Sequence, residues 1–255
     1  MKARNILPDF IKNKLWGDRK KWGRTPNFSD SSWLEWQRMQ IDFYNSTQKK
    51  GIGDFVNDAG YSVMSEIDLT DKCILEIGPG EMKHQRFWNS IPEKYIIADI
   101  HEDMMKSAIK VFERENLNYE KHFIKRNQMI PIPEKSVDII VSFYSFEHLH
   151  PFEEYIQQFK HYLKPNGVII GAIPAEGGFL WGLGRFLTSR RWVLKNTSIN
   201  YDKLICWEHP NYADFIIKQL DFEFSRNLLH SWPLNFLPLV DTNLVFKFCY
   251  INNKS

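Results

Sequence analysis

The sequence predicts an α/β protein: a seven-stranded, mostly parallel sheet with an antiparallel edge strand and helices on both faces. Three observations carry that expectation. From residue 72 onward, short runs apolar on both faces alternate with amphipathic runs of helical length, which is how a parallel sheet covered on two sides reads. The first run ends in a glycine turn, Gly78-Pro79-Gly80, and the second ends in a carboxylate, Asp99, 21 residues after Gly78. With 255 residues, 43% apolar and 25% charged, the chain can bury one large core and lies far from a disordered composition.

Taken in order, KCILEIG and YIIADI are the first two strands, with a helix HEDMMKSAIKVFEREN between the second and KHFIKRN. VDIIVSFY follows, then a helix PFEEYIQQFKHYL closed by Lys164-Pro165-Asn166-Gly167, then GVIIGAIP. A last helix, NYADFIIKQLDF, precedes FEFSRNLL and NLVFKFCYI, which pair antiparallel at one edge. Two stretches escape this pattern. Residues 1–70 are rich in Trp, Lys and Asn, with one helix expected from a Ser29-Asp30 cap through WLEWQRMQIDFYNS, where Trp33, Trp36, Gln37, Gln40, Phe43 and Tyr44 keep helical spacing. They are expected to form a helical cap on the main domain, residues 71–255. Residues 175–206 mix glycines, aromatics and arginines without a clean period and form an insertion after the fifth strand.

Charge and cysteine usage exclude several classes. Lys+Arg 33 against Asp+Glu 31 leaves +2, too little to draw a nucleic acid, and the densest basic cluster, Arg19-Lys20-Lys21 with Arg24, is short and reads as a solvated face and not a binding surface. Cys73, Cys206 and Cys249 are odd in number and far apart, so neither a disulfide framework nor a CxxC metal site is expected. Pro8 and Asp9 interrupt the N-terminus before a signal-length apolar run develops, and no run approaches the roughly 18 apolar residues of a membrane span. The expected location is the cytoplasm. The oligomeric state has no sequence signal.

Glu76-Ile77-Gly78-Pro79-Gly80 places permissive backbone where the chain must turn sharply at the carboxyl end of a strand, with a helix N-terminus expected just beyond. Open α/β sheets bind ligands at that end. Asp99, ending the next strand, can accept both hydroxyls of a ribose. A dinucleotide fingerprint needs a third glycine at position 83, which is Lys83, so the pocket reads as one for a nucleoside other than NAD.

Four segments, ILEIGPGE, ADIHEDMMKSA, MIPIPEKSVDIIVSFYSFEHL and HYLKPNGVIIGAIP, resemble in order and spacing the class I S-adenosylmethionine (SAM) dependent methyltransferases, in the type 11 branch that includes quinone methyltransferases. They span roughly residues 72–174, and the resemblance implies a Rossmann-like sheet. It implies that Glu76 and the Gly78-Pro79-Gly80 backbone face the methionine part of SAM and that Asp99 holds its ribose. Ile100 and Met104 would pack on the adenine, Asn127 and Gln128 would stand near its amine, and Ser142 and Phe143 would lie along the sulfonium. The sequence departs from the family at Met82, where a third glycine is common. It departs again upstream of Glu147-His148, where metal-holding quinone methyltransferases carry a Glu and this chain has Tyr144 and Ser145; no metal is expected.

Methyl transfer to a neutral hydroxyl needs a proton acceptor, and His148 beside Glu147 is the best placed base at the strand ends; His84 and His209 are weaker candidates. Acceptor chemistry is expected from the segments outside the family pattern. Arg185, Arg190 and Arg191 stand among Phe179, Trp181, Phe186 and Trp192, a mixture suited to phosphate and sugar rings, with His209 close in sequence. The expectation is a lid over a sugar, sugar phosphate or nucleotide-linked sugar; an amphipathic membrane contact is the competing reading of the insertion. The Lys-, Asn-, Ile- and Phe-heavy usage is that of AT-rich bacterial genomes, in which similar enzymes decorate surface or capsular polysaccharides. Two rivals stay open: an O-methyltransferase for a quinone or other aromatic acceptor, and a catalytically silent module that binds a partner protein through its Trp-rich first 70 residues.

Overall fold

The computed structural model describes residues 2–43 and 52–254; Tyr44, into which the first long helix was expected to continue, lies outside them. The chain opens with helices α1 (Ala3–Ile6), α2 (Asp9–Trp16), α3 (Arg19–Trp22), α4 (Ser31–Phe43) and α5 (Ile52–Tyr61). The sheet region follows as β1 (Cys73–Ile77), β2 (Lys94–Asp99), α6 (Glu102–Arg114), β3 (Tyr119–Phe123), β4 (Val137–Phe143), α7 (Phe152–Tyr162) and β5 (Leu163–Pro174). Helices α8 (Phe179–Leu187), α9 (Ser189–Asn196) and α10 (Tyr201–Glu208) occupy the expected insertion, and α11 (Ala213–Glu223), β6 (Ser225–Trp232) and β7 (Val245–Ile251) complete the chain.

The seven strands form one sheet in the order β3-β2-β1-β4-β5-β7-β6. β1, β2, β3, β4 and β5 run parallel, and β7 is reversed, pairing antiparallel with β5 on one side and with β6 on the other. This is the Rossmann-like arrangement expected, with the antiparallel β6–β7 pair at one edge. Alternation along each strand sends side chains to two cores. Leu75, Ile96, Ala98 and Ile140 meet α7 and α11 through Ile156, Phe159, Ile216 and Leu220 on one face. Ile74, Ile97, Ile139 and Val141 meet Val56, Met105, Ala108 and Phe112 of α5 and α6 on the other. Because each such side chain is worth about 1.5–3 kcal/mol when buried, the two-faced apolar strands are what hold the sheet at the centre.

Three boundaries and one packing arrangement differ from expectation. No α-helix follows the glycine turn. The stretch Lys83–Phe87 is a 3-10 helix, tied by Gln85 N to Met82 O and Trp88 N to Gln85 O, and the run from there to β2 is too short for more. Lys164-Pro165-Asn166-Gly167 is absorbed into the start of β5, with Asn166 at a left-handed φ of 62° and a register shift between Val137 and Ile139. Phe222-Glu223, expected in a strand, ends α11, because Phe224 N still bonds Leu220 O.

The fourth difference is the most informative. Asp30 Oδ1 does accept the Ser32 amide at the start of α4, as expected. The helix, however, packs on the insertion: Trp33, Trp36 and Phe43 share a core with Val193, Ile199, Leu204, Ile205 and Trp207. Gln37 is exposed, and Gln40 reaches the ring of His101 (3.2 Å). Further on-chain ties bind the first 22 residues to the same elements, Trp16 Nε1 donating to Gly178 O and Arg19 to His209 O. The two stretches without a family pattern therefore interlock. Among the described residues no helix is long and apolar enough to cross a membrane, and all three cysteines are free thiols.

Candidate active site

The glycine turn emerges from β1 with alternate residues left-handed: Gly78 at φ 70°, Gly80 at φ 54° and, where a third glycine is usual, Met82 at φ 56°. The bend survives without that glycine because Met82 is buried in the sheet core and so pinned. A Cβ on Gly78 would lie 2.3 Å from Ser145 Oγ, whereas nothing stands within 4 Å of one on Gly80. The turn thus leaves open space at Gly80, which suits close approach of a ligand to its backbone.

Glu76 does not face that space. Its fully buried carboxylate accepts from Tyr95 Oη (2.8 Å) and lies 3.0 and 3.2 Å from His84 Nε2. Trp88 Nε1 donates to His84 Nδ1 (3.1 Å), so the proton of a neutral His84 ring sits on Nε2, toward Glu76. Both ring nitrogens are engaged, which removes His84 as a base. Glu76 thereby ties the 3-10 turn that carries His84 to Tyr95 of β2.

Asp99 caps its own turn: Oδ1 accepts the His101 amide (2.7 Å). Burial raises its carboxyl to about 6 against that bond and against the nearby charge of His148. Ile100 and Met104 are half-buried, Ile100 on the α7–α11 core. Asn127 and Gln128 are exposed; the Gln128 side chain folds back on Lys125 N (2.9 Å), and Asn127 is anchored through its amide to Tyr155 Oη (2.9 Å). Phe143 stacks on His84 (4.9 Å) and meets Tyr61 edge-on (5.0 Å). Ser142 is buried, its Oγ has no hydrogen-bond partner among the described residues, and its backbone lies so close to Gly171 of β5 that a Cβ there would fall 1.8 Å from the Ser142 carbonyl oxygen.

Beyond β4 the chain turns through Tyr144, left-handed at φ 54°, to Glu147 and His148. His148 Nδ1 lies 2.6 Å from the Glu208 carbonyl, which can only accept; Nδ1 therefore carries the proton and Nε2 keeps its lone pair, 3.7 Å from Glu147 Oε1. Glu147 is 2% exposed, burial pushes it up to about 7, and its Oε2 has no hydrogen-bond partner among the described residues. The His209 ring meets His148 edge-on at 4.7 Å. Its Nδ1 is 3.0 Å from Glu176 Oε2, which also accepts from Trp181 Nε1 (3.0 Å) and Arg185. Burial opposes ionisation of Glu176, yet the Arg185 charge and the His209 bond outweigh it and hold the carboxyl well below its ordinary range. Burial keeps His209 below its own ordinary value, hence neutral near pH 7.

Two of the three insertion arginines are not free to hold a phosphate. Arg185, 7% exposed, bridges Glu176 and the Leu15 carbonyl. Arg190, 8% exposed, pairs with Asp202 and lies over the rings of Phe186 and Tyr201. Arg191 is exposed. Of the expected acceptor residues, His209 lies against the ring of His148. Glu176 and the Glu208 carbonyl were missed by sequence reading; a lone Glu after a strand and a backbone oxygen carry no sequence signal. Among the described residues no group of three or more His, Cys, Asp and Glu is arranged to hold a metal.

A family model described as a methyltransferase domain matches residues 75–171, the interval holding the glycine turn, Asp99 and His148. No curated protein matches the chain. Among solved structures, the chain is similar to the N-methyltransferase NodS from Bradyrhizobium japonicum, in complex with S-adenosylhomocysteine, at 14% identity over 88% of this chain and 100% of that one, TM-score 0.58. It is also similar to the cyclase SpnF, at 8% identity over 91% and 99% of the two chains, TM-score 0.58. A third is the CurJ carbon methyltransferase, at 12% identity over 85% and 58%, TM-score 0.55. At such identities these likenesses concern the fold, and a cyclase among them shows that the fold alone does not name a reaction. Residues 75–171 match a methyltransferase domain, and the seven-stranded sheet is the fold these structures share.

Proposed function

We propose that the protein is an O-methyltransferase acting on a hydroxyl of a small polar acceptor, a sugar, sugar phosphate or nucleotide-linked sugar. The observation that carries this reading is the tautomer of His148, whose Nδ1–H is fixed by the Glu208 carbonyl so that Nε2 is left as a base beside the cofactor end of the sheet. The residues present fit a nucleoside donor: open space at Gly80, left-handed turns on either side, and an Asp99 oxygen not taken by its own turn. SAM, when bound, supplies a methyl group on a sulfonium, already a good leaving group, so alignment and a dry site matter most.

In this reading SAM, held at the Gly78–Gly80 turn and Asp99, would supply the methyl group that the acceptor oxygen takes, leaving S-adenosylhomocysteine. The hydroxyl proton passes to His148 Nε2. Glu147, 3.7 Å away, stabilises the imidazolium formed, and the Glu208 carbonyl keeps the ring oriented. Residues 1–70 with 175–206 act as one acceptor-side cap, carried on the domain of residues 71–255. A surface or capsular glycan precursor is the acceptor setting that residue usage suggests.

Isothermal titration of the purified, folded chain with SAM and S-adenosylhomocysteine (SAH) tests the donor. Binding by wild type and its severe loss in Asp99→Ala are expected, and an unchanged affinity in the variant would move the pocket elsewhere. A turnover screen of nucleotide sugars and sugar phosphates against catechol-like compounds tests the acceptor; methylation of catechols alone would replace this reading with the aromatic one, and no turnover on either with SAM still bound would favour the silent module.

A further inference from the structure

At the seam between cap and sheet lies a cavity of about 240 Å³. The first segment of the chain contributes Arg24 and Phe28, α10 contributes Trp207, and the loops after β3 and β4 contribute Arg126, Asn127 and His150. Its size falls just below that of ordinary small-ligand pockets, roughly 300–1,000 Å³. Trp207, in its wall, directly precedes Glu208, whose carbonyl orients His148.

The two arginines differ from most cations around them. Lys2, Arg4, Lys14, Arg185, Arg190 and Lys203 all pair with carboxylates. Among the described residues, neither Arg24 nor Arg126 has a carboxylate within 4.0 Å; each has only an aromatic face, Phe215 at 6.0 Å and Trp33 at 5.5 Å. The fields of both reach neighbouring rings. After burial, Arg24 is the next cause holding His150 below its ordinary value, and Arg126 acts likewise on His101, against Glu208. Two free guanidiniums facing a small cavity with an indole wall form a site for a dianion carried on a ring.

We propose that this cavity holds the phosphate of the acceptor, gripped by Arg24 and Arg126, with the attached ring covered by Trp207. The assignment rests on the O-methyltransferase reading of the adjoining site, and it relocates the phosphate contact from Arg185 and Arg190, which are internally paired, and from the exposed Arg191. Guanidinium forks match phosphate oxygens two at a time, so each arginine should matter separately.

The test titrates the full chain, saturated with SAH, with glucose 1-phosphate, inorganic phosphate and glucose. Glucose 1-phosphate should bind more tightly than phosphate, and glucose not measurably. Arg24→Ala and Arg126→Ala should each weaken glucose 1-phosphate by about tenfold or more, while Arg191→Ala leaves it unchanged and all three keep wild-type SAH affinity and melting temperature. Absence of binding by both phosphate probes, or equal binding by wild type and the cavity variants, overturns the proposal. So does loss of SAH affinity in Arg126→Ala, which would give the cavity to the cofactor. Wild-type protein that fails to bind SAH at all would instead sink the methyltransferase reading, a distinct result read in the first titration.

Discussion

The cofactor end of the sheet and the cap above it are held together by different physics. At the sheet, the functional groups are backbone turns and strand ends whose geometry is set within a few residues: Gly78 and Gly80 by their own φ, Asp99 by the amide two residues on. In the cap, the ties are side chains reaching across more than 100 positions, Arg185 to Leu15, Trp16 to Gly178, Lys203 to Asp30. A local device tolerates variation nearby; a buried long-range network fails as a unit. The largest expected effect follows from that difference. Glu176→Ala leaves Arg185 buried without its counter-charge, which costs about 3–5 kcal/mol, and thermal unfolding should show it directly. If Glu176→Ala melts within a degree or two of wild type, the cap is not held by this network.

His148 is where the two regions meet, since the sheet places the ring and the cap fixes its tautomer through Glu208. His148→Ala should lower kcat by about 10²–10⁴, the usual contribution of a positioned acid–base group, with SAH affinity unchanged. A matching loss of SAH binding would mean the residue belongs to the cofactor pocket. Glu147 adds a pH signature to stability. Its folded value, raised to about 7 from an ordinary 4.5, means the ionised form is the disfavoured one, so stability is highest below 4.5 and is lost as pH rises toward 7. Glu147→Gln should flatten that decline in a series of denaturant melts.

What the sequence made legible divides along the same line. Strands with apolar residues on both faces, the glycine turn and the acid ending β2 are local patterns, and these lie where the sequence puts them, with β7 and β6 paired at the edge; β3 starts two residues before the expected KHFIKRN and β6 three residues into FEFSRNLL. The close approach of β5 to β4 at Ser142, which Gly171 permits, carries no signal in the run VDIIVSFY itself. The cap was opaque for a stronger reason. Arg185 and Arg190 look like ligand-binding residues until their partners Glu176 and Asp202 are placed, and no periodicity announces a partner brought in by tertiary packing. Asp99 offers a moderate test of the legible half. Because its carboxyl titrates near 6, SAH affinity should fall below that pH as the acceptor oxygen gains a proton, by up to about tenfold per unit, and Asp99→Asn should abolish the dependence. A flat profile in wild type would show that the ribose is held by other groups.

The smallest expected effect compares neighbours that the sequence alone treats as equals. Arg190 and Arg191 are adjacent on α9 and chemically identical, but Arg190 is buried against Asp202 and over two aromatic rings while Arg191 is exposed. Arg190→Ala removes a partly buried ion pair and the packing of its stem, a loss of about 1–2 kcal/mol. Arg191→Ala should leave the melting temperature where it is. If acceptor turnover then falls in Arg191→Ala with stability intact, the outer surface of α9 takes part in binding and the lid reading of the insertion regains its arginine. If it falls only in Arg190→Ala, in proportion to the lost stability, the arginines of α9 act by holding the cap closed over the base.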